Sequence, residues 1–227
     1  MGKKEEYRRH VQTVKKRNQY LLFGVIVIIA LVIAGLIIIP NMQSIGAIVP
    51  VTPNPRPQAQ GMAMGDPTAP VKVDVYSDFQ CPACKSFAET IEPQLVDQYI
   101  SKGLLYLTYR PFRVIGPESD NAAEAAYCAA DQNKFWEYHD ILYANWTGEE
   151  AGDFSDRRLK AYAESIQLDT AAFNRCYSSG KYRTQVQNDQ QAGNQIKVSF
   201  TPSVFVNGIL VEDGNYIAAV DTALTSQ

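Results

Sequence analysis

The chain changes its hydrophobic rhythm several times. Residues 21–39, LLFGVIVIIALVIAGLIII, carry no charge; as a helix rising about 1.5 Å per residue they reach about 28 Å, close to the hydrocarbon thickness of a bilayer. Residues 40–65 lose apolar periodicity and contain Pro40, Pro50, Pro53, Pro55 and Pro57, which reads as a semi-rigid, extended linker. From Asp66 the pattern is that of a folded domain. VKVDVYSDF (71–79) alternates Val71, Val73 and Val75 as a strand does. After it, Phe87, Ile91, Leu95 and Tyr99 recur every fourth residue, one stripe of a helix that Pro93 should kink. SKG at 101–103 then turns the chain into LLYLTYR, a second strand, and the three elements make a βαβ unit.

Residues 117–197 switch to Ala-rich, four-step patterns (NAAEAAYCAA, FWEYHDILYA, RRLKAYAESI, AAFNRCY), predicting an inserted set of four or five helices. PSVFVNGILVE places two β-prone runs around Asn207-Gly208, a strong hairpin signal, and NYIAAVDTAL closes the chain as a helix. Phe135, Trp136, Tyr138 and Tyr143 stand at helical spacing, which marks core more often than a ligand box.

Charge adds a topology. The net charge of −3 hides a +5 segment at residues 1–20. By the positive-inside rule that basic tail stays in the cytoplasm, residues 21–39 span the membrane once, and everything after residue 40 is exported. The apolar run exceeds the roughly 7–15 residues of a signal h-region, so the reading is an uncleaved anchor; a cleaved signal peptide, processed near SIGA at 44–47, is the alternative. No block of like charge follows the tail, so nothing points to nucleic acid.

The chemistry concentrates in SDFQCPACKSF, residues 77–87. A zinc site needs about four ligands, and this chain offers one C-x-x-C, a His10 on the cytoplasmic side and a solitary His139, so no metal is expected. As a structural staple, a Cys81–Cys84 link closes too small a loop to restrain the unfolded chain much. Redox exchange fits. With Cys81 at the start of the helix, unpaired backbone N–H groups and the helix dipole stabilise its thiolate. Pro82 suits the first helical position, and Cys84, one turn on and less exposed, can resolve a mixed disulfide from within.

With GDPTAPVKVDVYSDFQCPACKSFAE, YRPF, AAEAAYCAADQNKFWEYHDILYAN and FTPSVFVNG in order over residues 65–226, the chain resembles the DsbA-like thiol:disulfide oxidoreductases, especially the membrane-tethered members. The resemblance implies an α/β, thioredoxin-like fold with an inserted α-helical domain (117–197), here preceded by one N-terminal transmembrane helix. It implies that Thr201-Pro202 is a cis-proline loop facing Cys81 and Cys84 and pairing with extended substrate; from the residues alone a trans bond would be read, since only about 5–6% of X-Pro bonds are cis. Its expected clients are unfolded exported polypeptides, with a DsbB- or VKOR-type membrane partner as reoxidant and no cofactor beyond the redox-active Cys81–Cys84 disulfide.

Two departures stand out. Ala83 occupies a position where similar sequences often carry histidine or an aromatic residue, removing one source of thiolate stabilisation. Val75 occupies a strand position that is often acidic, with Asp74 and Asp78 nearby, both read as solvated or turn-capping residues. Cys128 and Cys176 fall in two different helices of the insertion. Outside the cytoplasm an even cysteine count favours pairing, some relatives carry a second, structural disulfide there, and closing about 48 residues would stabilise the fold by about 4 kcal/mol. The alternatives to an oxidase are a reductase or isomerase using the same site, and a tethered holdase or adaptor with idle cysteines.

Overall fold

A computed structural model describes residues 2, 22–36, 45–212 and 214–226. Residues 22–36 are helical (α1) with exposed apolar side chains from Leu22 to Leu36. The rest of the expected 21–39 span, and the basic tail apart from Gly2, lie outside the described residues. Among the described residues no helix is long and apolar enough to cross a membrane.

A separate compact unit begins at Ala47. Its centre is a five-stranded sheet in the order β1-β3-β2-β4-β5, built from β1 (Ala63–Met64), β2 (Val71–Ser77), β3 (Leu105–Pro111), β4 (Ser203–Val206) and β5 (Ile209–Leu210). β2 and β3 run parallel, joined by the crossover helices α2 (Pro82–Thr90) and α3 (Glu92–Gln98); every other pairing is antiparallel. The Pro93 expectation holds: the helix breaks at Ile91, yet Ile91 N–H still donates to Phe87 O and Leu95 N–H to Ile91 O, so the stripe continues through a kink. Asn207 (φ 49°) and Gly208 (φ 80°) both take the left-handed conformation that a two-residue primed turn requires between β4 and β5.

Between β3 and β4 lie the five helices of the insertion: α4 (Pro117–Ala130), α5 (Phe135–Asn145), α6 (Asp156–Ser165), α7 (Thr170–Ser178) and α8 (Arg183–Gln195); α9 (Tyr216–Thr225) closes the fold. The aromatic run on α5 is core: Phe135, Trp136, Tyr138 and Tyr143 are buried and pack with Tyr109, Phe79 and Phe173. His139 is buried among them. The structure joins Cys128 to Cys176 with their Cα atoms 5.8 Å apart, linking α4 to α7.

The segment read as a linker is, from Ala47 onward, part of this unit, ahead of the Asp66 start expected from sequence. Val49 exchanges two hydrogen bonds with the Asn145 side chain. Arg56 is nearly buried: its guanidinium bonds Glu92 of α3 and Asp140 of α5 (2.6 Å for the latter) and lies over the Trp136 ring at 4.7 Å. β1 follows, pairing Ala63 and Met64 with β3. These contacts are made by single residues with partners 36 to 96 positions away, and therefore leave no periodic signal.

Candidate active site

Cys81 caps α2. Its backbone is extended (φ −81°, ψ 123°), its carbonyl accepts the first helical bond from Lys85 N–H, and Pro82 fills the first turn. Pro82 and Ala83 are exposed; Cys81 is 7% exposed and Cys84, one turn inward, 1%. Both thiols are free. The Cys81 pKa is drawn down from the usual 9.0 to about 6, first by a hydrogen bond from Cys84, against the opposing effect of burial, with further help from Thr201 and the backbone N–H groups of Cys84 and Ala83. This is the helix-end stabilisation expected for the thiolate. Cys84 is pushed the other way, mainly by burial and then by the neighbouring Cys81 sulfur. At neutral pH the pair is one thiolate outside and one thiol inside.

Across from Cys81, the Thr201-Pro202 peptide bond is cis. It turns the chain into β4 and sets the Thr201 carbonyl oxygen 3.3 Å from Cys81 Sγ, an acceptor for the sulfur in its protonated form. The Thr201 hydroxyl is buried with no hydrogen-bond partner. Phe200, directly before it, is an apolar side chain 46% exposed.

Beneath the pair, the two nearby acids do what the sequence suggested. Asp74 pairs with Arg110 at 2.9 Å in a partly exposed position. Asp78 is buried, and its carboxylate accepts from the backbone N–H groups of Gln80, Val114 and Ile115, tying the β2–α2 turn to the strand leading into the insertion. Sequence reasoning missed Ser77, whose buried hydroxyl lies 2.9 Å from Tyr143 Oη. The signal was available: Ser77 continues the inward register of Val71, Val73 and Val75, so a hydroxyl had to sit in the core below the cysteines.

Among the described residues one acid–imidazole group has the arrangement to hold a metal ion, Glu92, His139 and Asp140. It includes neither cysteine, and Arg56 already ion-pairs with both carboxylates. The structure thus gathers Cys81, Pro82, Ala83, Cys84, Thr201 and Pro202 in one place, while the Cys128–Cys176 disulfide ties together two helices of the insertion.

Residues 58–225 match the model of a family described as thioredoxin. A probable disulfide bond formation protein D of Bacillus cereus is 34% identical over 152 residues, which cover 65% of this chain and 70% of that protein. Oxidised BdbD from Bacillus subtilis superposes with a TM-score of 0.68 at 21% identity, over 78% of this chain and 100% of that one. DsbA from Chlamydia trachomatis does so with a TM-score of 0.62 at 22% identity, over 81% and 96%. At these identities the two solved structures speak for the fold.

Proposed function

Because the chain belongs to the thioredoxin family and is a DsbA-like thiol:disulfide oxidoreductase, we propose that it introduces disulfides into exported polypeptides, with Cys81 exchanging and Cys84 resolving. The observation that carries this reading is the split between the two sulfurs, one lowered to about 6 and the other raised. When the pair is oxidised, a substrate thiolate attacks the more accessible Cys81 sulfur. The Cys81–Cys84 bond breaks, and Cys84 leaves with the electron pair and takes up a proton. A second substrate thiol then attacks the substrate sulfur and expels Cys81 as a stable thiolate. Two electrons pass from substrate to enzyme, and a good leaving group at Cys81 drives the release.

The cis-proline loop is the substrate platform in this proposal. Thr201 offers backbone to an extended chain, and Phe200 gives an unfolded polypeptide an apolar contact. Residues 21–39 anchor the enzyme with its N-terminus in the cytoplasm and the catalytic unit outside; the apolar run and the basic tail support this topology. Reoxidation falls to a DsbB- or VKOR-type membrane partner that accepts the two electrons. No cofactor enters the cycle.

The test is oxidative refolding of a reduced, multi-thiol protein. The full chain should accelerate the return of native disulfides, and Cys81→Ser should abolish the acceleration. A reductase or isomerase would instead need a reduced partner and repair scrambled bonds. A holdase would retain its clients unchanged after the same substitution.

A further inference from the structure

Cys81 caps α2 without a side-chain hydrogen bond of its own, and Pro82 leaves the first turn with one donor fewer. The start of this helix is held instead by the turn that precedes it. Cys81 N–H donates to the Asp78 carbonyl at 3.0 Å, and Gln80 N–H donates to the Asp78 carboxylate at 2.8 Å. Gln80, directly before Cys81, has no exposed surface, and both ends of its amide are engaged. Its Oε1 accepts the Glu150 backbone N–H at 2.6 Å, and its Nε2 donates to Glu150 Oε1 at 2.7 Å and to Ser119 Oγ at 3.0 Å. Glu150 lies in the loop between α5 and α6, while Ser119 is in the first turn of α4. The same Glu150 oxygen accepts the Glu118 N–H at 3.1 Å, satisfying a donor that the start of α4 leaves open. Glu150 holds φ at 50°, a left-handed conformation uncommon for a residue with a side chain, which persists where the surroundings fix it. Gly116 leaves the space that the Glu150 carboxylate fills; a side chain there would collide with it. A carboxylate on an exposed loop residue thus reaches, through one buried amide, the residue next to Cys81.

We propose that Gln80 is a positioning residue for Cys81 and that Glu150 completes it, the paired amide and carboxylate holding the β2–α2 turn so that the Cys81 sulfur stays at the α2 N-terminus and against the Thr201 carbonyl. Both thiols are free in this structure, so the tie is the arrangement of the reduced protein. In that state no covalent bond fixes the Cys81 sulfur to the helix. Once the Cys81–Cys84 disulfide has formed, the bond itself pins Cys81 to the first turn and takes over much of the restraint. Loss of the tie therefore costs the reduced form more than the oxidised form. The Cys81 thiolate loses its alignment with the N–H groups of Ala83 and Cys84, two of the groups that stabilise it. The equilibrium with glutathione then moves towards the oxidised protein. In that exchange two glutathione thiols give up two electrons and two protons and become oxidised glutathione; Cys81 and Cys84 take the electrons, Cys84 keeps one proton and the other goes to solvent.

This inference rests on the assignment of Cys81 and Cys84 as the exchange pair, and one set of measurements separates the two. The full chain, Gln80→Leu, Glu150→Ala, Glu150→Gln and the Gln80→Leu/Glu150→Ala double variant are equilibrated with glutathione buffers at neutral pH. The Cys81 thiolate is titrated by its ultraviolet absorbance, and urea unfolding is followed in the oxidised and reduced forms. Gln80→Leu should raise the Cys81 pKa above its value of about 6 and shift the equilibrium constant towards the oxidised protein by at least about fivefold. Glu150→Ala should act in the same direction. Glu150→Gln keeps the acceptor and drops only the charge, and should stay within about twofold of the wild-type chain. The double variant should shift no further than Gln80→Leu alone, because the two residues act as one unit. Glu150 is exposed, so its two variants carry the test even where Gln80→Leu fails to fold. An unmoved equilibrium constant in Gln80→Leu and Glu150→Ala, with equal loss of urea stability in the two redox forms, marks a merely structural tie and overturns the proposal. So does a Glu150→Gln chain that shifts as far as Glu150→Ala, or a double variant whose shift is the sum of the two singles. A wild-type chain that forms no mixed disulfide at Cys81 with oxidised glutathione overturns the exchange reading itself, and does so before any variant is compared.

Discussion

Cys81 Sγ and the Thr201 carbonyl oxygen, 120 residues apart in sequence, lie 3.3 Å from each other. The hydroxyl of the same threonine is buried and left without another partner, and that side chain helps to lower the Cys81 pKa. Valine keeps the branched shape and the carbonyl but deletes the hydroxyl. Thr201→Val should therefore raise the Cys81 pKa above its value of about 6. Titration of the thiolate absorbance in the ultraviolet measures this directly, and an unmoved midpoint would leave the stabilisation to the helix end and Cys84 alone.

The split between the two sulfurs also fixes how the reduction potential responds to pH. Below about pH 6 the reduced pair carries two protons; above it, Cys81 has lost its proton while Cys84 keeps one. For a two-electron couple the potential should fall by about 59 mV per pH unit on the acid side and by about 30 mV per unit on the neutral side. Equilibration with glutathione buffers at a series of pH values should show that break near 6. A single slope of about 59 mV through neutrality would mean that Cys81 titrates as an ordinary thiol.

The Cys128–Cys176 link closes a loop with a sequence separation of 48. Replacing both cysteines by serine should cost about 4 kcal/mol, chiefly by freeing the unfolded chain. Urea unfolding at equilibrium reads the loss. The Cys81 thiolate titration should stay where it was, because the bond joins α4 to α7 and contributes nothing to the α2 N-terminus.

Arg56 bridges Glu92 and Asp140 in the interior and covers Trp136. Arg56→Ala leaves two buried carboxylates beside a buried histidine, a change expected to cost about 3 to 5 kcal/mol. Hydrogen exchange should show protection lost at Val49 and Asn54, whose N–H groups bond Asn145 and Asp140. Retained protection there would show that the segment docks without its arginine.

Much of this architecture is legible in the sequence where local chemistry is periodic or punctuated. The Val71, Val73, Val75 alternation gives β2, the Phe87 to Tyr99 stripe gives the crossover helices with their kink, and Asn207-Gly208 gives the turn. The helix-end placement of Cys81 follows from Pro82 and the C-x-x-C spacing. What escapes is non-periodic. β1 is two residues long, Arg56 finds its partners far along the chain, and the Ser77–Tyr143–Tyr109 hydroxyl cluster joins three elements through side chains whose sequence signal is hydrophobic or neutral. Tyr143 was legible as core, and it is core; that its oxygen also meets the Ser77 hydroxyl depends on a contact 66 residues away in sequence.

Cys128 is 1% exposed beneath α4. A reductant in solution therefore reaches this bond through Cys176, the partly exposed partner, and not through Cys128.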